Sequence, residues 1–351
     1  MIDEKKLEAF IERFVADAAA TAHAATVVLG DRLGLYQAMA EGGPQTATEL
    51  AARTNCHPRM IEEWANAQAA SEYCSYEPAT GRYSLTPEQK AVLADDNEPT
   101  YLVGNTRIVS SLHNDIDGVH TAFSSGGGFG WHEHHHDLFV NMARASSADY
   151  EAALVPEWIP ALDGVEGKLR RGARVADIGC GYGGPTILLA QAYPLSTFHG
   201  FDYHAESIGA ARKAAADAGV SDRVTFEVAY ADAFPGTDYD LVCTFDAFHD
   251  MGDPVQVARS IRESLSADGA WMLTELNARD RVEENINPFG RFLYSVSSLV
   301  CVPNALSQSE TRALGAAAGE AELWKVVTEA GFTKCRLAAE APFNLILEVR
   351  S

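Results

Sequence analysis

Three aspartates and a glycine turn give this sequence its first chemistry. The stretch VADIGCGYGG (175–184) sets Asp177 two residues ahead of Gly179, with Cys180, Gly181, Gly183 and Gly184 following. Asp202 closes the run HGFDY, beside Tyr203, and Asp232 closes AYAD, ahead of Ala233 and Phe234. A glycine-rich loop between a buried strand and a helix lets a ligand lie against bare backbone. Gly179, Gly181 and Gly184 satisfy G-x-G-x-x-G, so a nicotinamide dinucleotide is one reading, with Asp202 on the ribose. That reading leaves Asp177 without a task. S-Adenosylmethionine makes use of all three acids. It has no phosphate, but carries an ammonium, a ribose diol and an adenine amino group, which acceptors at successive strand ends can meet in order.

A second set of side chains could move a proton or shape a pocket. His249, in FDAFHDMGD, lies just after a strand, at the sheet end where an acceptor would meet a bound ligand. An imidazole with an ordinary pKa of about 6.5 suits proton removal from a hydroxyl. The other reading is a structural histidine bonded to Asp250. The run WHEHHH (131–136) places His132 and His136 around Glu133 in H-E-x-x-H spacing, the helix pattern of zinc proteases. No third ligand accompanies it, so no metal is expected. Trp131, His132 and His135 are instead candidate acceptor-binding residues, with Phe139 and Met142 on the helix that follows, and with Phe248, Tyr294 and Ser298 further along. Cys180 has no base beside it and reads as a small packing residue rather than a nucleophile.

Periodicity names the elements that must hold these residues. Residues 4 to about 40 read as helix, ended by Gly42, Gly43 and Pro44. Thr48 can cap a helix through Leu50 and Ala51, a turn follows at Asn55–Cys56, and a second helix runs through Met60, Ile61 and Trp64. CSYEPATGRYSLTPEQ reads as a hairpin. Helix, turn, helix, hairpin is a winged-helix pattern, but its second helix carries Glu62 and Glu63 and few basic residues, which argues against DNA. Residues 97–165 are mostly helical. From Arg171 strands and helices alternate: RVADIG, PTILLAQAY, TFHGFD, ESIGAARKAAADAG, VTFEVAYAD, DYDLVCTFDAF, VQVARSIRESLSADG, AWMLTEL. KCRLAAEAPFNLILEVR then gives two strands joined at Ala341–Pro342. The order predicts an α/β fold with a doubly wound, Rossmann-like, mostly parallel sheet and an antiparallel last strand. The expected division is 1–100 helical and winged, 101–165 a helical linker lining the acceptor pocket, and 166–351 the ligand-binding domain. Residues 281–320, long for a connection and rich in aromatics, read as a lid that excludes water.

Composition bounds the setting. The chain has 351 residues, 47% of them hydrophobic and 22% charged, and a formal net charge of −22. That balance suits a soluble enzyme and disfavours contact with a phosphate backbone. No apolar run approaches 18 residues and the charged N-terminus lacks a signal-peptide pattern, so neither membrane nor export is expected. Six scattered cysteines read as reduced thiols in a cytoplasm.

VADIGCGYGG, GFDYHAESI and FDAFHDMGDP resemble the successive motifs of class I S-adenosylmethionine-dependent methyltransferases, and the resemblance spans nearly the whole chain. The N-terminal part is similar to the dimerisation domain of a bacterial small-molecule subgroup with a winged helix. The resemblance implies that Asp177, Gly179, Gly181, Asp202, Asp232 and Ala233 line a cofactor site, with Phe234 and Phe245 as adenine neighbours. H-D-x-x-D is similar to plant-type O-methyltransferases, whose histidine there is the base; Met251 stands where that family usually has Trp. The expectation is a cytoplasmic, dimeric enzyme methylating a small aromatic or apolar acceptor, of the secondary-metabolite type, at oxygen, at carbon of an electron-rich ring such as an indole, or at nitrogen. A metabolite-responsive winged-helix regulator and a nicotinamide oxidoreductase are the alternatives.

Overall fold

The computed structural model describes residues 1–95, 100–309 and 312–351. These residues form two compact units: residues 1–113 with 140–148, and residues 114–139 with 149–351.

In the first unit the expected long helix is two. Asp3 caps the helix Glu4–Arg32, and Gly34, at φ +66°, breaks it before Leu35–Gly42 starts. Thr46 rather than Thr48 caps Ala47–Thr54, because Glu49 completes a reciprocal capping box with it. His57 and Pro58 open the next helix, Pro58–Ala70. Strands β1 (Ser75–Glu77) and β2 (Arg82–Ser84) pair antiparallel as the wing. Leu35, Tyr36, Met39, Leu50, Ile61 and Trp64 form the core of this unit. Gln68 is tolerated within it because the Tyr36 hydroxyl donates to its Oε1 (2.7 Å) and its amide donates to Thr26 Oγ1 (2.9 Å). On the exposed face of Pro58–Ala70, Arg59 is tied to Glu63 (2.6 Å) and lies 3.8 Å from Glu62. Leu7, Phe10, Ile11, Phe14 and Val15 form an exposed apolar stripe on the first helix.

The second unit is built on a seven-stranded sheet. Its strands are β3 (Arg174–Ile178), β4 (Thr197–Asp202), β5 (Val224–Val228), β6 (Tyr239–Phe245), β7 (Leu265–Leu276), β8 (Lys334–Glu340) and β9 (Asn344–Arg350). Their order is β5-β4-β3-β6-β7-β9-β8, and β9 runs antiparallel to both its neighbours. The order reverses between β3 and β6, which leaves a crevice for a ligand at their carboxyl ends. The expected helix through SADG stops at Ser264, and β7 begins at Leu265, paired with Tyr239. Strand pairing overrides helical propensity there, and the register shift between Tyr239 and Leu241 takes up the extra residues. The last strand is buried on both faces. Ile346 joins Phe198, Leu189 and Trp158, while Leu347 and Val349 join Phe201, Phe248 and Trp271. Among the described residues no helix is long and apolar enough to cross a membrane.

Ile346 has no exposed surface, whereas Val228 at the end of β5 is 54% exposed. Ile346→Ala is expected to cost about 2–5 kcal/mol in urea denaturation followed by tryptophan fluorescence. Val228→Ala is expected to change stability by about 0.5 kcal/mol or less. Comparable losses would show that the sheet is not covered on both faces.

Candidate active site

The glycine turn is shaped by backbone hydrogen bonds from the neighbouring strand. The N–H groups of Gly179 and Cys180 both donate to the Phe201 carbonyl (2.8 and 3.0 Å). The chain then turns through Gly181 and Gly183 into the helix Gly184–Ala192. Gly183 has φ +78°, and a Cβ there would lie 2.5 Å from the Phe226 ring, so glycine is required twice over. Asp202 closes the turn by accepting from the N–H groups of Gly181 (2.9 Å) and His204 (2.8 Å).

Asp177 is buried at the end of β3. One of its oxygens accepts from the Thr186 hydroxyl, and the other has no hydrogen-bond partner. Burial pushes its pKa up to about 7, against the Thr186 hydrogen bond and with a contribution from Asp202. Burial likewise raises Asp202, against the N–H groups of His204 and Gly181. Asp232 and Ala233 are exposed beyond the end of β5, and Phe234 is half-buried against Phe201. Phe245 is buried at the end of β6 with its ring against Tyr150 (5.5 Å). Cys180 is buried and its thiol is pushed well above the ordinary range by burial. Tyr203, next to Asp202, is held by two other segments. Its hydroxyl accepts from the Trp131 N–H (3.0 Å) and donates to Asn304 Oδ1 (2.9 Å).

The turn Phe248–Asp250 carries His249 against this loop: a Cβ on Gly179 would fall 2.8 Å from the Ala247 methyl. His249 is buried. Glu275, from the end of β7, takes its backbone N–H (3.0 Å) on one oxygen and its Nδ1 (2.6 Å) on the other. His249 Nε2 lies 3.3 Å from Asp250 Oδ1. Burial opposes charge on the ring, but Glu275 and then Asp250 outweigh it and hold the pKa well above its ordinary value. Asp246, at φ +49°, receives the Tyr150 hydroxyl (2.6 Å) and the Asn344 amide (2.8 Å), and burial raises its pKa to about 7.

Within the expected lid, 281–320, of which residues 310–311 lie outside the described residues, the chain forms a short 3-10 helix, Val282–Asn285, and the helices Pro288–Leu299 and Cys301–Gln308. Asn304 ties three segments together: its Oδ1 also accepts from the Trp131 N–H (2.9 Å), and its Nδ2 donates to the Asp250 carbonyl (3.3 Å). Cys301, from the same helix, stands beside His249 and Asp250, with ligating atoms within 4.8 Å of one another.

The acceptor-binding expectations divide. Trp131 and Phe139 pack together (5.1 Å), and Phe139 lies against His204 (4.7 Å). His132 and His135 are exposed, and His135 caps the helix His136–Ala153. His134, not singled out from the sequence, is the buried member of the run. Phe248 is not a pocket residue, because its ring is fully buried edge-on against Trp271 (5.0 Å). Tyr294 is an exposed residue whose hydroxyl reaches Asn285 (3.4 Å), and the Ser298 hydroxyl is spent within its own helix on Ser295. Met142 belongs to the first unit. Sequence reasoning also missed Asp115, Asp246, Glu275, Cys301 and Asn304. No local spacing marks them, since each acts through a partner at least 19 residues away.

This sheet order, with a glycine turn after the first strand and an acid at the end of the second, defines the fold of class I S-adenosylmethionine-dependent methyltransferases. Residues 169–327 match the methyltransferase domain family, and residues 21–95 match the Rv2258c-like winged helix-turn-helix domain. The chain thus combines a region that matches a methyltransferase domain with one that matches a winged helix-turn-helix domain. A 27-O-demethylrifamycin SV methyltransferase from Amycolatopsis mediterranei is 36% identical over 109 residues, which cover 30% of this chain and 39% of that protein. The structure of PigF with SAH superposes with a TM-score of 0.70 at 18% identity, covering all of both chains. The mitomycin 7-O-methyltransferase MmcR does so at 0.66 and 17%, over 99% of this chain and 100% of that one.

The raised pKa of Asp177 links the site to stability. The folded carboxyl keeps its proton up to about pH 7, while the unfolded one ionises near 3.9. Stability from this group is therefore full below about pH 4 and is lost as pH rises towards 7. Asp177→Asn removes that loss. Melting of the ligand-free protein should show the variant gaining more over wild type at pH 8 than at pH 5. An equal difference at both pH values would mean that Asp177 is already ionised at pH 5.

Proposed function

We propose that this protein transfers a methyl group from S-adenosylmethionine to a hydroxyl of a small aromatic acceptor. The observation that carries this reading is the free, buried oxygen of Asp177 at the mouth of the glycine turn. A buried carboxylate with one unmet acceptor position calls for a cationic donor, and the ammonium of S-adenosylmethionine is one. Asp202 stands ready for the ribose hydroxyls. The exposed Asp232 and Ala233 are placed for the adenine amino group, with Phe234 beside them. When bound, the cofactor supplies a methyl group on a sulfonium, which is already a good leaving group.

The remaining work is alignment and proton removal. Glu275 fixes Nδ1 of His249 as the donor side of the ring, and Nε2 of the neutral ring takes the acceptor's hydroxyl proton as the oxygen is methylated. Because Glu275 and Asp250 hold the pKa well above its ordinary value, the neutral ring, and with it the rate, grows as pH rises. Oxygen is favoured as the atom methylated because two of the similar proteins, a 27-O-demethylrifamycin SV methyltransferase and a mitomycin 7-O-methyltransferase, carry an oxygen position in their names. The acidic surface and the tethered Arg59 support a small-molecule rather than a nucleic-acid partner. The apolar stripe at Leu7, Phe10, Ile11, Phe14 and Val15 supports a homodimer through the N-terminal helix. The six free cysteines agree with a cytoplasmic setting.

S-Adenosylhomocysteine should raise the melting temperature, and NAD should not; the reverse result sinks the proposal. Asp202→Ala should weaken S-adenosylhomocysteine by about 10–100-fold in calorimetry, through loss of charge-assisted hydrogen bonds. Once labelled S-adenosylmethionine has identified an acceptor, His249→Ala should lower kcat by about 10²–10⁴ with cofactor affinity nearly unchanged. A normal rate in that variant would remove His249 from the chemistry.

A further inference from the structure

The histidine run contains a group that the reading above does not use. His134 has a side chain with no exposed surface, and its Nδ1 lies 2.9 Å from Asp115 Oδ2. Asp115 is itself pinned, because the His135 backbone N–H lies 3.1 and 3.3 Å from its two oxygens. A carboxylate only accepts, so the shared proton sits on His134 Nδ1, which leaves Nε2 with a lone pair. That Nε2 is buried and has no hydrogen-bond partner. The ring is held edge-to-face by Phe129 (4.7 Å) and Trp131 (6.3 Å), so it is not free to turn away. A histidine kept only for packing would have its second nitrogen satisfied or wet.

The place matters as much as the orphan atom. Asn304 accepts from the N–H of Trp131, three residues before His134, and donates to the carbonyl of Asp250, the residue next to His249. The two imidazoles therefore serve one locality from different segments, and they differ in state. Both nitrogens of His249 have a carboxylate oxygen within reach, whereas His134 offers an unoccupied acceptor. Burial holds the His134 pKa below its ordinary value, against the pull of Asp115, which keeps the ring neutral.

We propose that His134, locked in its Nδ1–H tautomer by Asp115, is an acceptor-binding residue whose Nε2 receives a hydrogen bond from a hydroxyl or N–H of the methyl acceptor. The proposal rests on the methyltransferase reading and narrows its substrate class. The acceptor carries a hydrogen-bond donor besides the hydroxyl that His249 serves, as a dihydroxy-aromatic or a hydroxyindole does. A congener with an ether or carbonyl at that position meets a lone pair and is rejected.

Asp115 offers a test that changes chemistry and not shape. In Asp115→Asn the amide oxygen keeps the His135 N–H, and the amide NH2 then faces His134 Nδ1. The ring proton moves to Nε2, which turns an acceptor into a donor. Full-length protein labelled with 15N-histidine, with S-adenosylhomocysteine added, is followed by long-range 1H–15N correlation and assigned by difference from His134→Gln. The expected spectrum shows a pyridine-type Nε2 at His134 that shifts on adding 5-hydroxyindole and not on adding its N-methyl congener. In Asp115→Asn, 5-hydroxyindole, whose ring N–H can only donate, should bind about tenfold more weakly, in line with one lost hydrogen bond, while the N-methyl congener is unchanged.

Three outcomes overturn the proposal: an Nε2–H or doubly protonated His134 in wild type, a His134 signal indifferent to 5-hydroxyindole, or equal loss of 5-hydroxyindole and its N-methyl congener in Asp115→Asn. S-Adenosylhomocysteine affinity separates the two readings. If it fails to bind wild type, the methyltransferase reading falls, while the tautomer and the hydroxyindole response, measured on the free protein, still decide the role of His134.

Discussion

Burying carboxyl groups where parallel strands end is the constraint on which the rest of this structure turns. Asp177 and Glu275 are buried at the carboxyl ends of β3 and β7, and Asp246 is half-buried just past the end of β6. A carboxylate removed from water must find donors or keep its proton. Asp177 finds Thr186, Asp246 finds Tyr150 and Asn344, and Glu275 finds both the backbone and the ring of His249. The partners come from a following helix, from a helix preceding the sheet and from the last strand. The acids thus recruit distant parts of the unit to one end of the sheet. What each leaves unmet is what a ligand can use: the second oxygen of Asp177 is the clearest case.

The same end of the sheet is covered by backbone as much as by side chains. Asn304 bonds the Trp131 amide, the Tyr203 hydroxyl and the Asp250 carbonyl, and the Phe129 amide donates to the Pro303 carbonyl (2.9 Å). Residues 128–131 and the helix Cys301–Gln308 are so close that a Cβ on Gly128 would fall 2.2 Å from the Ser307 nitrogen. A cover tied down at several polar points can open by breaking a few hydrogen bonds rather than a packed apolar face. That construction suits the lid role expected of this segment from its sequence.

Helix boundaries show where local reading stopped. The first helix was legible in its apolar spacing, but the break at Gly34 was not, since one glycine inside a helical pattern is compatible with continuation. Thr46 and Thr48 are equivalent as isolated cap residues. Only the reach of Glu49 back to the Thr46 backbone distinguishes them. The start of β7 at Leu265 depends on pairing with Tyr239, a residue 26 positions earlier, which no local window contains.

The sequence by itself determined the doubly wound sheet, the winged N-terminal pattern, the glycine turn and the acids that follow it. These features live in short-range spacing: strand and helix periods, turn glycines, and the rule that ligands gather at strand ends. The tertiary structure alone decided which histidine of WHEHHH is buried, because four similar residues in six give no periodic signal and Asp115 selects His134 from 19 residues away. It also paired His249 with Glu275 across 26 residues and turned Phe248 into the core. Protonation, tautomer and access depend on desolvation and on partners far along the chain, and those exist only once the chain has folded.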